Sequence, residues 1–348
     1  MEEKEPLVSI IILNYNAGKL LRNCVKSIFD SNYKNLEIIV VDNISNDNSH
    51  HLCKKEFQRI KLIENKENLG YCEGNNVGIR EANGEFLVII NPDTEVSPSW
   101  LHELLNAHKK LGEGIFQPKI LSLKEKNVLQ STGNMIHLFG IGFSRDLGII
   151  DSGKHDSEEH VSYAAGTCFF TSAEVFKKVG LFDPFIFLYH DDLDFGWRAA
   201  QIGIKSFYIP TSKIFHVKSY NLEWSSKKFY WLERNRKYCI LTHYSKDTLS
   251  KMKLELILSE IIIWIAYFSK GFLIAKIKAN LDISRNKKQI KRKYLELENK
   301  KIVDDRQLIK TFPDFVFLSN NVTESKFGQI FNILISKLSV NAKKRIQI

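Results

Sequence analysis

Apolar runs separated by polar tips organise the first two-thirds of the chain. Residues 8–13 are continuous and β-branched, which predicts a strand buried on both faces. Residues 19–29 place Leu20, Leu21, Cys24, Val25 and Ile28 on one face of a helix. Residues 36–41 predict a second buried strand ending at Asp42, and residues 60–63 a short third. Residues 73–82 read as a helix despite Gly74 and Gly78, and Phe86–Ile90 as another buried strand ending at Asn91-Pro92-Asp93. Ser97-Pro98 offers an N-cap and a first-turn proline for a helix over residues 99–110. This βαβα order predicts an α/β fold, a mostly parallel central sheet with helices on both faces.

The pattern weakens from 112 to 161, where short apolar pieces alternate with Gly and polar residues, as in a loop-rich insertion or an irregular sheet. It returns as a structured segment at 163–170 and a helix over Ala173–Val179, capped by Ser172 and ended by Gly180. A further helix starts near Asp191 and stops at Gly203, a strand follows over 205–209, and a polar segment over 212–220 carries His216. Residues 254–275 are strongly apolar around Ile261-Ile262-Ile263-Trp264-Ile265. About 20 such residues suffice to span a bilayer, but Glu260 and Lys270 would each cost about 2.5–3.5 kcal/mol at its centre. Glu255, Ser259, Ala266 and Lys270 fall near one helical stripe and Glu260 lies off it, a pattern of a helix in the membrane interface or packed on a partner. Residues 303–348 read as a variable, helical or partly disordered end.

Composition locates the charge. The 348 residues are 44% apolar and 26% charged, which allows a sizeable core and excludes wholesale disorder. Lys and Arg number 50 against 40 Asp and Glu, for a net charge of +10. Over residues 1–245 the two totals are 29 and 30; over 246–348 they are 21 and 10. The excess therefore sits behind the apolar segment, in Lys276, Lys278, Arg285, Lys287, Lys288, Lys291, Arg292 and Lys293. Such clusters attract anionic lipid head groups. No interleaved aromatics or recognisable motif points to nucleic acid. The division predicts a catalytic domain over 1–245 and a basic, largely helical, membrane-associating or interaction region over 246–348. The five scattered cysteines, Cys24, Cys53, Cys72, Cys168 and Cys239, argue against a disulfide scaffold or structural zinc and fit a reducing compartment. The acidic start, Met1 to Pro6, resembles neither a signal nor a transit peptide. Together these predict a cytoplasmic protein peripheral to the cytoplasmic membrane.

Every confident strand ends in polar residues: Asn14-Tyr15-Asn16, Asp42-Asn43 and Asn91-Pro92-Asp93. Asn and Asp also make good turns, but in open α/β sheets ligands bind outside the carboxyl ends of the strands. Asp191, Asp192 and Asp194 cluster at a predicted helix N-terminus, where one or two would serve as caps. A third adds like-charge repulsion, which raises a carboxyl pKa and suits a proton acceptor. Asp93, stiffened by Pro92, offers a carboxylate to a hard cation, since Mg²⁺ or Mn²⁺ takes few protein ligands plus diphosphate oxygens. A phosphate-binding P-loop, a Gly-x-Gly-x-x-Gly turn and a Gly-x-Ser-x-Gly elbow are all absent from the sequence, against P-loop hydrolysis, NAD binding and serine hydrolysis.

Taken together, residues 8–244 resemble the inverting glycosyltransferases of family 2, with the GT-A fold. The resemblance rests on 8–16, Val40-Val41-Asp42-Asn43 with Ser45 and Asp47, Asn68-Leu69-Gly70-Tyr71 running into Gly74-Asn75-Asn76-Val77-Gly78, and Asn91-Pro92-Asp93-Thr94. It continues through Gly166-Thr167, Gly180-Leu181-Phe182-Asp183, residues 187–194, Trp197-Arg198 and His216. The Asn-Pro-Asp form and the Asn-Leu-Gly stretch are similar to the rhamnosyltransferase-like branch. The resemblance implies that Asn14, Asn16, Asp42, Asn68, Gly70, Asn75, Asn91 and Asp93 bind a nucleotide-diphospho-sugar, UDP- or dTDP-linked, with Asp42 at the nucleobase. It implies a divalent metal, Mn²⁺ or Mg²⁺, on Asp93 and His216, and Asp192 as general base with Asp191 beside it. Gly166, Trp197 and Arg198 fall on the acceptor side, and the implied acceptor is a glycan or lipid-linked hydroxyl in cell-surface polysaccharide or glycolipid synthesis. Asn91 departs from the first Asp of the family's Asp-x-Asp motif; a neutral, weaker ligand puts strict metal dependence in question. Two other readings stand beside this one: a non-catalytic carbohydrate- or lipid-carrier-binding module, and a nucleotidyltransferase, for which Ala17-Gly18-Lys19 would be a poor triphosphate loop.

Overall fold

The structure, a computed structural model, describes residues 5–217, 225–317 and 325–347. Its first part alternates strand and helix: β1 (Val8–Asn14), α1 (Lys19–Asp30), β2 (Leu36–Asp42), α2 (Ser49–Glu56), β3 (Lys61–Glu64), α3 (Gly70–Arg80), β4 (Phe86–Ile90), β5 (Thr94–Val96) and α4 (Trp100–Leu111). Then come β6 (Gly114–Ser122), β7 (Leu129–Ser131), β8 (Asn134–Ile136), β9 (Gly142–Ser144), β10 (Glu159–Val161), β11 (Cys168–Ser172), α5 (Ala173–Val179), α6 (Asp191–Gln201) and β12 (Lys205–His216). The remainder is helical: α7 (Ser226–His243), α8 (Lys246–Lys251), α9 (Lys253–Ser269), α10 (Leu273–Arg285), α11 (Lys287–Lys300), α12 (Asp305–Thr311) and α13 (Lys326–Gln347).

The main sheet runs β10-β12-β6-β11-β4-β1-β2-β3. Strands β3, β2, β1 and β4 are parallel, β6 and β12 are parallel, and β11 lies antiparallel between β4 and β6. Residues of β1 alternate between two cores, as the two-residue period of a strand requires. Ile10 and Ile12 face α1 and α4, while Ile11 faces α3, α5 and α6. Strand order reverses between β2 and β4, on either side of β1, so the carboxyl ends of β1, β2 and β4 open onto a switch-point crevice.

Most elements read from periodicity recur within a residue or two, with instructive exceptions; the helix read over 73–82 opens three residues earlier, at Gly70. The helix after Ser97-Pro98 starts at Trp100, and its Ser99 makes no side-chain cap. The weak 112–161 stretch contains β6, a nine-residue buried strand. Its signal is broken by Gln117 and Lys119, whose buried polar ends are satisfied by Ser131 and by Asp151 and Asp156. The strand at 205–209 continues to His216 through an irregularity between Ile209 and Lys213 at Pro210, which cannot donate to a ladder. Residues 218–220 of the His216 segment, and 318–324 and 348 of the tail, lie outside the described residues.

The helical tail packs onto one face of the sheet domain. Ile263, Ile283, Ile290, Ile309, Phe312, Phe331 and Ile335 belong to the same apolar cluster as Phe182, Phe195 and Trp197. Among the described residues, no helix is long and apolar enough to cross a membrane. Helix α9 is inverted relative to a water-facing helix. It buries Glu255, Ser259 and Ile263 and exposes Leu254, Ile257, Leu258, Ile261, Ile265 and Phe268. Glu260 and Lys276, read in the sequence as membrane or headgroup charges, instead join Glu233, Arg236 and Lys237 in a partly buried ionic cluster tying α7, α9 and α10 together.

Candidate active site

Two adjoining recesses open at the switch point. One, of about 460 Å³, is lined by Leu13, Tyr15, Asn43, Asn68, Gly70, Asp93, His216 and Lys227. The other, of about 370 Å³, is lined by Asn134, Gly142, Tyr163, Gly166, Thr167, Asp191 and Asp192. They meet at Tyr71, Asn91, Leu188 and Tyr189, which line both. Asp93 with His216 and Asp191 with Asp192 therefore occupy opposite halves of one cleft.

In the first half, Asp93 leaves β4 through Pro92 and is 5% exposed. His216, at the end of β12, brings Nε2 to 3.1 Å from Asp93 Oδ2. Its Nδ1 lies 2.6 Å from Gln130 Oε1, and Gln130 Nε2 donates to the His216 carbonyl at 2.8 Å. That second bond fixes the amide, so Nδ1 carries a hydrogen and Nε2 is turned toward the Asp93 carboxylate. Asp93 Oδ1 is buried without a hydrogen-bond partner. A divalent cation would satisfy that oxygen, and a carboxylate beside an imidazole is a donor set that fits the metal the family resemblance implies.

The rest of the proposed donor set divides. Asn68 accepts from the Gly70 amide at 2.9 Å and opens α3. Gly70 has φ +73°, and a Cβ there would lie 2.5 Å from the Phe187 ring, so glycine is required where α3 meets the 187–190 segment. Asn91 is held by its amide, which donates to the Thr167 carbonyl at 2.9 Å. Asn16, at φ 54°, accepts from the Asn46 amide at the crevice rim. Asp42, expected to meet the nucleobase, is instead occupied internally. It accepts from Asn14 Nδ2 at 2.7 Å and the Ser45 amide at 2.9 Å, and lies 3.3 Å from His50 Nδ1. Asn14 also donates to Ser49, and both residues hold the β1 and β2 ends together. Asn75 is buried in α3 and donates to the Tyr71 carbonyl, away from both recesses. The Gly18 amide donates to Asp47 Oδ2 at 2.8 Å, so the Ala17-Gly18-Lys19 turn is closed on a carboxylate.

In the second half, Asp191 and Asp192 begin α6. Asp192 accepts from the Gly166 amide at 2.9 Å and the Leu193 amide at 2.8 Å. Tyr71 donates to the Gly166 carbonyl at 2.6 Å, locking the same loop. Burial pushes the Asp192 carboxyl up, and burial followed by the Asp192 charge pushes Asp191 well up. Asp194, expected to add repulsion, faces the core instead. Burial alone would raise it, but Arg198 at 2.8 Å and His243 at 3.3 Å hold it well below the usual carboxylate range.

Trp197 and Arg198 therefore do not stand on the acceptor side. Trp197 is 1% exposed among His243, Tyr244 and Phe312, and Arg198 is spent on Asp194 and the Val179 carbonyl. Gly166 does line the recess that holds Asp191 and Asp192.

The segment before Asp191 is strained. Phe187, Tyr189 and His190 all have φ of 63–64°, a conformation costing non-glycine residues of order 1–3 kcal/mol each. Buried Asn235 on α7 holds it by donating to the carbonyls of Ile186, Leu188 and Tyr189 at 3.0, 2.8 and 2.8 Å. The Tyr71 amide donates to the Phe187 carbonyl at 2.6 Å, and Trp231 stacks on the Phe187 ring. Gln130 and Asn235 position the two halves, and nothing in their sequence surroundings marks either one.

Residues 9–180 match the family model described as glycosyl transferase family 2. The low-salt glycan biosynthesis hexosyltransferase Agl10 of Haloferax volcanii is 30% identical over 203 residues, 57% of this chain and 62% of that protein. An N-acetylglucosaminyl-diphospho-decaprenol L-rhamnosyltransferase of Mycobacterium tuberculosis is 22% identical over 237 residues, 62% of this chain and 77% of that protein. The match thus spans less than two-thirds of the archaeal relative. Among solved structures, GalNAc-T7 with UDP, GalNAc and Mn²⁺ superposes with a TM-score of 0.59 at 18% identity, over 73% of this chain and 52% of that one. S. aureus TarS 1–349 in complex with UDP-GlcNAc gives 0.52 at 14% identity, over 98% and 90%. At such identities these two establish the shared fold, a mostly parallel α/β sheet of the GT-A type.

Proposed function

Because the chain belongs to the family 2 glycosyltransferases, with its family domain at residues 9–180, we propose that it moves a sugar from a nucleotide-diphospho-sugar to a glycan or lipid-linked hydroxyl with inversion at the anomeric carbon. The observation that carries this reading is the division of the cleft: Asp93 and His216 in one half, Asp191 and Asp192 in the other, joined at Asn91. The first half takes the donor, UDP- or dTDP-linked, against Asn43, Asn68 and Gly70. The second takes the acceptor.

Asp192 accepts the acceptor's hydroxyl proton as that oxygen attacks the anomeric carbon. The bond to the departing nucleoside diphosphate breaks on the opposite face, and no sugar–enzyme bond forms. The Gly166 and Leu193 amides aim the carboxylate, and its raised pKa makes it a better base than a surface aspartate. Asp191 beside it orients the acceptor or the helix end. A divalent cation held by Asp93 and His216 supplies charge to offset the departing diphosphate. Support for it comes from the unpartnered buried Asp93 Oδ1 beside His216 and from the Mn²⁺ named with GalNAc-T7.

The lipid-linked acceptor is supported by the name of the mycobacterial relative and by the outward apolar stripe of α9. Exposed Lys278, Arg285, Lys287, Lys288, Lys291 and Arg292 flank it on α10 and α11, as on a helix resting at an anionic membrane surface. On this reading the enzyme works peripherally at the cytoplasmic face of that membrane. A nucleotide-release assay tests the reading, with Mn²⁺ or Mg²⁺ and a panel of UDP-, dTDP- and GDP-sugars. Slow hydrolysis of one donor, reduced by Asp93→Ala, is expected. No release from any donor would favour a non-catalytic binding module.

A further inference from the structure

A third cavity adjoins the acceptor half of the cleft. It measures about 280 Å³ and shares Gly142, His190 and Leu232 with the recess that holds Asp191 and Asp192. Its remaining wall is mostly apolar and aromatic: Ile141, Phe229, Ile263, Ala266, Phe272 and Phe331, among others. Glu233 and Arg236 also border it, but Arg236 makes two bonds of 2.9 Å to Glu233, so their charges are mutually satisfied. The third shared residue, His190, is uncharged at neutral pH, because burial holds its pKa down at about 4. The cavity thus begins beside the base and carries no unpaired charge at its junction with the acceptor recess.

Its other end lies between α9 and α13. Phe327 and Lys270 line it there, and beyond it the exposed apolar residues continue as Ile265 and Phe268 on α9 and Ile330 and Leu334 on α13. An apolar path therefore runs from the outward stripe of α9 and α13 to the carboxylate pair.

We propose that this cavity takes the first part of the hydrocarbon chain of a lipid-linked acceptor, the acceptor's sugar lying at Asp192 and the rest of its chain leaving between α9 and α13. The inference rests on the glycosyltransferase reading above, and it makes the acceptor's lipid a recognised part of the substrate and not merely its anchor. Apolar chain entering a preformed apolar cavity raises affinity with each buried methylene, and two of them already suffice for roughly tenfold. A purely membrane-bound role for the stripe would need no cavity beside the base.

The test is a chain-length comparison on the full chain. N-acetylglucosaminyl diphosphates carrying an ethyl or a decyl group serve as acceptors, with the donor found by nucleotide release. The wild type is expected to show kcat/KM roughly tenfold or more higher for the decyl acceptor. Ala266→Phe, which fills the cavity, should bring that ratio near one. Equal kcat/KM for both acceptors in the wild type overturns the proposal, as does an Ala266→Phe variant in which both fall together. If neither acceptor is used, calorimetry with decyl diphosphate against ethyl diphosphate decides on wild-type protein alone. Tighter decyl binding, by roughly tenfold or more, upholds the proposal, and equal or undetectable binding overturns it. Dimerisation through this face on sedimentation, with no decyl binding, would assign the cavity to a second copy and also overturn it. Absence of nucleotide release from every donor would count against the transferase reading, while the calorimetric result would still decide on the cavity.

Discussion

At the scale of single residues, the site is a set of buried charges whose environments differ by design of the fold. Asp194 lies two positions beyond Asp192, yet Arg198 and His243 keep it ionised, whereas burial raises Asp192 and Asp191. The sequence shows three aspartates in four positions; only the tertiary partners separate a structural one from a reactive pair. The sign of the stability effect follows. Asp191 has a raised folded pKa, so the folded chain binds the proton more tightly than the unfolded chain. Its contribution is fully present below the ordinary carboxylate pKa and is lost as pH rises through the raised value. Asp191→Asn should therefore melt a few degrees above wild type at pH 7, with the gap closing by about pH 4. The measurement is Tm by calorimetry across that range, and a gap that stays constant with pH would contradict the assignment. The same residue scale explains the error over Trp197 and the internal bonding of Asp42. Asp42 follows a strand as a ligand would, but its oxygens are taken by Asn14 and Ser45. Trp197 sits in a motif, but at a helix position that turns it into the core.

At the scale of elements, β1, β2, β4, α1, α5 and α6 were legible because apolar period and caps agree there. Ser172, for example, accepts from the Val175 amide as its position predicts. Strand β6 was not legible, because a buried Lys119 paired to two aspartates looks like a surface position in one dimension. Nor was the strained 187–190 segment, whose left-handed residues are Phe, Tyr and His and not glycine. Its stability comes from Asn235 on α7, which lies far along the chain. Asn235→Ala removes a donor shared by three carbonyls, one buried and two partly so, a loss of about 1–3 kcal/mol, and frees the turn that aims Asp191 and Asp192. It should lower kcat for transfer more than it weakens donor binding, because it acts on the acceptor half. Comparison of kcat with the donor Kd by calorimetry checks this. A variant that lost donor affinity and kept kcat would place Asn235 elsewhere in the cycle.

At the scale of the molecule, the net charge of +10 resolves into a near-neutral stretch over residues 1–245 and a basic one over 246–348, and the two share one apolar cluster. Cutting the chain after Tyr244 would remove Phe312 and expose Trp197 beneath it, so membrane attachment is better tested by substitution. Ile261→Glu with Ile265→Glu changes two exposed residues of the α9 stripe. The pair should abolish most co-sedimentation with anionic vesicles while nucleotide release persists, and unchanged co-sedimentation would move the attachment site off α9.

The most direct test of the whole account is Asp192→Asn, read by donor binding and by sugar transfer in the same preparation. The side chain keeps its shape and loses its basicity, so the donor half of the cleft is untouched. Donor Kd should remain at the wild-type value, and transfer should fall by roughly 10²–10⁴-fold, the usual worth of a positioned general base. Transfer at the wild-type rate would contradict the role of Asp192 and, with it, the division of the cleft into donor and acceptor halves.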